Sequence, residues 1–554
     1  MKKCFQFIFF VFYSWSSLFA QSARDSVFTQ ADTLRGMLSP LRTCYNVLVY
    51  DLDVKVDINE KHISGSNTIK LIAENDFQQL QIDLSENMQI QLIEFETTSL
   101  KYARKFNAVF INFPRMIKKG EVASLKIYYR GKPQPAIHPP WDGGFSWETD
   151  AEGNPWVGVS CQQLGASCWW PCKDHQSDEP DEMFIHISVP SGLMAVSNGR
   201  LTKETELQGG YTKYDWHVSY PINNYDVTLN IAKYRQFSDL YVNAAFNDTL
   251  TLDYFVLPYN YEKAQQHFKQ VKLMLDCYYK LMGEYPFIKD GYKLVETPYL
   301  GMEHQSCVSY GNNYKSGYRG KDLSGAGFDF DYIIIHESAH EWWGNAITTN
   351  DIADMWIHEG FATYAEALYV ECIYGHDAYL KYINSEKKGV KNKEPIIGKY
   401  NVNKPGSRDM YPKGALLLHT LRSIINNDSL FFNILEGLQL KYKYKTVNSG
   451  DIEKYISEKS GIDLSQIFDV YLREKSIPEL QYILEKNEKD LKVSYRYASD
   501  KPFTMPVKVT LKKEMYAFIY PTNKWQSILI DNMKEEDFKI ALDLFYIGLE
   551  NIKK

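Results

Sequence analysis

What the sequence lacks narrows its class before any motif is read. It has no basic excess: 62 Lys and Arg stand against 69 Asp and Glu, for a net charge of −7. A nucleic-acid partner requires a positive footprint, so none is expected. None of its eight cysteines forms a Cys-x-x-Cys pair, which argues against a structural zinc knuckle. Internal repeats and low-complexity linkers are absent. Beyond residue 20 no apolar run is long enough to span a bilayer. What is present is an ordinary soluble composition, 44% hydrophobic and 24% charged. The 15% of aromatic residues are assigned to cores and sheets and carry no functional weight as a class. At 554 residues the chain exceeds a single core and points to about two to four domains.

The first twenty residues are distinct. Lys2 and Lys3 precede a mostly apolar run from Cys4 to Leu18, which ends Phe19-Ala20 before Gln21. Charged, apolar and small-residue segments in that order describe a secretory signal peptide. The run is short for a membrane anchor, and Ser14, Ser16 and Ser17 dilute it. No cysteine follows the expected cut, so a lipoprotein anchor is not expected. The expectation is an exported protein, periplasmic, extracellular or surface-associated, with no stable membrane span after cleavage. Removing residues 1–20 takes Cys4 away and leaves an odd number of cysteines, so at least one is free. Cys161, Cys168 and Cys172 cluster in sequence, and spacing alone leaves a bridge among them open.

Short alternating runs separated by turn clusters fill residues 40–235, as in Val47, Val49 and Asp51 against Leu48, Tyr50 and Leu52. From about residue 257 the apolar spacing becomes helical, with helices expected at 259–281, 329–345, 360–375, 409–426 and 450–473. After Ser476 strand patterns return. The expected architecture is multidomain α+β. An N-terminal segment at 21–39 leads into an antiparallel β-sandwich-like domain at 40–235. A mainly α domain follows at 236–475, and a small C-terminal β-sandwich at 476–554.

The α-rich part carries the chemistry. Residues 336–340 read His336-Glu337-Ser338-Ala339-His340. Residues four apart share a helix face, so both imidazoles reach one ion. Glu337 sits beside the first ligand and is placed to take a proton from water at the metal. Eighteen residues after His340 comes Glu359, whose carboxylate completes a three-ligand site with one position open. Glu366 lies two turns further along the same face. It either accepts the free N–H of a ligating histidine or is a solvated helix carboxylate. His358 faces away from that direction and is read as structural.

These motifs resemble the aminopeptidase N family of zinc metallopeptidases, gluzincins that include the leukotriene-epoxide hydrolase. The resemblance rests on the zinc motif with Glu359, on Trp342-Trp343-Gly344-Asn345, on Leu300-Gly301-Met302-Glu303-His304, and on Tyr411-Pro412-Lys413-Gly414-Ala415. A softer match is Gln162 followed by Pro171-Cys172-Lys173-Asp174 and Asp178-Glu179-Pro180. Together the matches cover about residues 40–550.

The resemblance implies a thermolysin-like catalytic domain with one zinc ion on His336, His340 and Glu359. It implies a secreted aminopeptidase that removes the N-terminal residue from peptides with free N-termini through a metal-activated water. Glu303 would hold the substrate's α-ammonium, assisted by Gln162, with Gly301 and Met302 of the same motif in substrate binding. Tyr411 would donate a hydrogen bond to the oxyanion. Leu300 and His304 depart from the family's Gly and Asn, so side-chain preference does not carry over. Ser167 stands where the family commonly has Arg. The sequence ends soon after the β tail, so the expectation is a cleft without the large helical domain that closes it in some members. Two other readings remain: a thermolysin-like endopeptidase, and an inactive relative serving as a peptide-binding scaffold.

Overall fold

Alternation in the sequence becomes sheet in the N-terminal half. In strand Tyr45–Asp57, Leu52, Val54 and Val56 are fully buried on one face. The register with the next strand shifts between Val47 and Val49. This bulge changes the inward parity, so Val47 and Tyr50 both point into the core. The computed structural model of the protein describes residues 28–246 and 248–553; the signal-peptide reading of residues 1–20 lies outside them.

Tyr45–Asp57 is central in an eight-stranded sheet, flanked by His62–Ala73 and Glu182–Pro190. The sheet is antiparallel apart from one pair: Tyr45–Asp57 runs parallel to Glu182–Pro190, with Leu52 opposite Ile185. The long excursion between those two strands allows the parallel return that a tight hairpin forbids. A three-stranded and a four-stranded sheet complete this β-rich region and share its hydrophobic core.

A second core holds the helices. It opens with a five-stranded sheet ordered Arg235–Asn243, Asp248–Val256, Tyr292–Glu296, Val308–Tyr310 and Gly301–Met302, so that Gly301–Met302 is an edge. The helix expected over 259–281 is divided into Tyr261–His267 and Gln270–Met282. The motif helix is Tyr332–Ala339, followed by the long helix Trp356–Tyr374 and by Pro412–Ile425. Helices His376–Ser385 and Asp428–Tyr442 were not foreseen. The C-terminal strands, from Glu479–Asn487 to Gly548–Asn551, and their connections contribute Val493 and Val507, with Met505 and Phe545, to this same core. Tyr471 Oη donates to the Tyr546 carbonyl at 2.5 Å, and Tyr546 N to Thr420 Oγ1 at 3.1 Å, tying tail to helices. Among the described residues no helix is long and apolar enough to cross a membrane.

One disulfide, Cys277–Cys372, joins helix Gln270–Met282 to the end of Trp356–Tyr374. Cys161, Cys168 and Cys172 are buried free thiols, so the sequence cluster is not a bridge. The bridge closes a segment of sequence separation 95. Chain entropy alone then gives roughly 4–5 kcal/mol of stabilisation. Replacing Cys277 and Cys372 together with Ser is expected to lower the urea midpoint while leaving the far-UV circular dichroism of the unstressed protein unchanged.

Candidate active site

The site is assembled on a helix whose start is over-determined. Asp331 caps Tyr332–Ala339 by accepting from Ile333 N at 2.9 Å. The same carboxylate accepts from His267 at 2.7 Å, Tyr310 Oη at 2.7 Å and Asn312 Nδ2 at 2.8 Å. Ile333, Ile334 and Ile335 bury the helix's first turn. His336 and His340 therefore present their rings from a fixed backbone, one turn apart.

Each ring is oriented by what its other nitrogen touches. His336 Nδ1 lies 2.6 Å from Glu366 Oε1, and His340 Nδ1 lies 2.9 Å from the Trp343 carbonyl. Both partners only accept, so each Nδ1 donates and each ring turns its Nε2 to the opposite side. Those two Nε2 atoms are 3.3 Å apart. Glu359 Oε2 lies 3.5 Å and 3.4 Å from them and has no hydrogen-bond partner. Three potential ligand atoms thus converge in a buried space. Two imidazoles with one carboxylate are the donors a catalytic zinc takes, and these three fit it.

Glu366 is fully buried, so the solvated-carboxylate alternative falls and the histidine-partner alternative stands. Tyr382 Oη donates to its other oxygen. His358 is also resolved: its Nε2 accepts from Thr349 N at 3.0 Å, and burial pushes its imidazole down to about 3. It is a neutral structural ring that faces away from the cation site.

Trp342-Trp343-Gly344-Asn345 forms the wide turn after the motif. Gly344 adopts φ of +128°, where a Cβ would lie 3.3 Å from Nδ1 of both His340 and His358. Asn345 Nδ2 donates to the Glu303 carbonyl at 2.8 Å, which pins the edge strand beside the motif helix. Gly301 is needed at that edge, because a Cβ there would meet Glu337 Oε1 at 2.8 Å.

Glu303, Glu337 and His340 offer ligand atoms that all lie within 4.8 Å of one another. Gln162 Nε2 donates to Glu303 Oε1 across the two halves of the chain. Burial raises the Glu303 carboxyl to about 7, with Glu359 and Glu337 adding to the shift and His340 opposing it. Burial likewise raises Glu337, against the pull of the two histidines. Such a pocket of crowded carboxylates is relieved by positive charge. Tyr411 stands just before helix Pro412–Ile425, its ring centroid 6.1 Å from that of His336. Burial and the facing Glu359 carboxylate keep its phenol protonated, as a donor must be. Its helix is held against the Glu359 helix by glycine on glycine: a Cβ on Gly414 would sit 2.9 Å from Gly360 Cα.

His336, His340, Glu359, Glu337, Glu303, Gln162, Gly301, Tyr411 and Glu366 therefore lie about one centre. Several contributors were missed. Tyr225, whose hydroxyl bonds to Glu303, and Tyr382 are two of 41 tyrosines, with no motif to mark them. Of the two departures, His304 is fully buried with Nδ1 3.1 Å from Ser309 Oγ, so it turns inward. Leu300 is buried with the hydrophobic core of the helical part. Beside Ser167, whose N–H donates to Asp174 Oδ2 at 3.0 Å, the charge is supplied from elsewhere: Arg35 of helix Gln30–Gly36 pairs with Asp174 at 3.1 Å.

A buried His-His-Glu centre with an adjacent glutamate, in a β-plus-helical frame, defines the class of a metallohydrolase. Residues 259–471 match the Peptidase family M1 domain and residues 46–225 the Peptidase M1 N-terminal domain; the chain belongs to peptidase family M1. It is 22% identical to a leucyl aminopeptidase of Saccharolobus solfataricus over 56% of this chain and 40% of that one. It is 21% identical to a probable aminopeptidase 1 of Sulfurisphaera tokodaii, over 78% and 54%. With the leukotriene A-4 hydrolase of Xenopus laevis it shares 20% over 74% and 68%. The chain spans only about half the length of the first two relatives. A mutant M1 zinc metallopeptidase from Deinococcus radiodurans, solved with a Tyr-Ser-Ala substrate, superposes with a TM-score of 0.64 at 22% identity, over 78% of this chain and 95% of that chain. The fold is thus shared.

Replacing Glu366 with Ala is expected to weaken zinc affinity by about 10- to 100-fold, measured by chelator competition, because His336 loses the acceptor that fixes its tautomer. Glu366→Gln, which keeps an acceptor, is expected to lie between.

Proposed function

We propose that the protein is an exported zinc aminopeptidase. The observation that carries this reading is the position of Glu303. A buried carboxylate, steadied by Gln162, stands within 4.8 Å of the donor atoms of His340 and Glu337. A carboxylate so close to the hydrolytic centre rewards a free α-ammonium and disfavours an internal peptide, which would leave it unpaired. An endopeptidase has no use for it, and a binding scaffold has no use for Glu337.

His336, His340 and Glu359 would hold the zinc. When bound, the ion polarises the scissile carbonyl and makes water more acidic. Glu337 takes a proton from water and returns it to the leaving amine. Tyr411 donates to the oxygen on which negative charge develops. Glu303 and Gln162 orient the substrate's amino end, and Gly301 and Met302 lie along its backbone. The disulfide Cys277–Cys372 and the N-terminal charge pattern both support an oxidising, exported setting.

Glu337→Gln is expected to keep stoichiometric zinc and lose roughly 10²–10⁴-fold in kcat, read on an aminoacyl fluorogenic substrate. Wild-type-like turnover in that variant would remove the mechanism. Free peptides are expected to be cleaved and their N-acetylated forms spared; equal cleavage of the two would leave the endopeptidase reading standing.

A further inference from the structure

The loop that carries Gln162 is gripped by a stretch of chain far upstream of it. Between Cys161 and Cys168 the backbone folds back on itself: Gly165 N donates to the Cys161 carbonyl at 2.6 Å, and Cys168 N to the Gly165 carbonyl at 3.1 Å. Gly165, at φ of +95°, has no room for a Cβ, because the Arg35 guanidinium and the Asp174 carboxylate lie directly against it. Arg35 pairs with Asp174 Oδ2 and also donates to the Asp174 carbonyl. The same Oδ2 accepts from Ser167 N at the far end of the loop. On the loop's other side, the Gln163 carbonyl accepts from Asn403 Nδ2 at 3.2 Å. Asn403 is itself packed against Gly36 so closely that a Cβ on Gly36 would collide with its backbone.

Arg35 and Gly36 are in turn fixed from behind. Arg42 is fully buried; its Nη2 donates to Asp83 Oδ2 at 2.6 Å and its Nη1 to the Arg35 carbonyl at 2.8 Å. Asp83 Oδ2 also accepts from Asp174 N at 3.1 Å. Gln81 Nε2 donates to the Leu34 carbonyl at 3.1 Å. At the start of the segment, the ammonium of Lys399 lies 4.6 Å from the centre of the Phe28 ring. Residues 28–44 thus strap the β-rich half to the stretch of chain that leads to Tyr411. Arg35, Gln162 and Tyr225 line one cavity of about 20 Å³, room for about one water. Gln162 and Tyr225 both bond to Glu303. With Arg35 in place, Gln162 has little space into which to retreat from that carboxylate.

We propose that Arg35 is a positioning residue for recognition of the substrate's amino end. It holds the Gln162 loop against Glu303, from a helix that lies outside the catalytic domain. It supplies beside Asp174 the charge that Ser167 does not. The segment at 28–44 is then a working part of the active site and not a mere leader to the first strand. This rests on the aminopeptidase reading.

The zinc-loaded full chain is to be assayed on alanine p-nitroanilide as wild type, Arg35→Gln, Arg35→Lys, Gln162→Ala and the double variant Arg35→Gln, Gln162→Ala. Arg35→Gln is expected to raise KM by about tenfold, the worth of one hydrogen bond to a charged group, with kcat nearly unchanged. Arg35→Lys, which keeps a charge beside Asp174, is expected to recover most of that loss. Because Arg35 acts through Gln162, the double variant is expected to be no worse than Gln162→Ala alone. An unchanged KM in Arg35→Gln, or losses that multiply in the double variant, overturns the proposal. So does a loss of bound zinc or of the urea transition in both Arg35 variants, which would make the residue structural only. No cleavage of the anilide by the wild type would instead remove the aminopeptidase reading, and this inference with it.

Discussion

Two imidazole nitrogens held 3.3 Å apart, both facing the Glu359 carboxylate, are the constraint around which the catalytic half is organised. Two ring nitrogens this close crowd one another, and each ring is held from behind. Glu366, Tyr382 and the Trp343 carbonyl do the holding. Their own positions depend on the burial of the Glu359 helix and on the glycine-permitted turn at Gly344. A metal ion bound here would meet all three ligand atoms at once, with their rings already oriented.

Around this centre the protein crowds carboxylates. Glu303, Glu337, Glu341, Glu359 and Glu366 are all buried close to one motif helix, except that Glu337 borders the cleft. Burial pushes Glu341 up to about 8, although Ser306 N and Tyr285 Oη both donate to it. Under the proposed function the crowding would separate roles by neighbour: one acid facing the ion, one the ring behind it, one the water, one the substrate's amine. Asn345 links two of these roles, since it follows the zinc motif in sequence and grips the backbone of Glu303 in space.

The ligands were legible in the sequence because a helix imposes spacing: His336 and His340 share a face by arithmetic, and Glu359 and Glu366 do so on the next long helix. The β-rich half was legible through alternation, down to the parity that a bulge at residue 48 then changed. Glu303, Gln162 and Tyr411 were visible only through resemblance, because nothing local ties an edge strand, a loop and a helix start to one ion. Tyr225 and Tyr382 were not visible at all. They act through long-range packing, and a lone tyrosine carries no periodic signature. The disulfide escaped for the same reason: its two cysteines are far apart, while the eye-catching trio at Cys161, Cys168 and Cys172 stays reduced and buried.

That disulfide also shapes the unfolded chain. The loop it closes contains Glu303, His336, Glu337, His340, Glu359 and Glu366, and leaves out Gln162 and Tyr411. When the fold is lost, the metal donors remain on one covalent ring at a high effective concentration. A denatured chain of this kind still competes for zinc. The ion's contribution to stability is then smaller than its affinity for the folded site alone would give, because binding counts only as the difference between the two states.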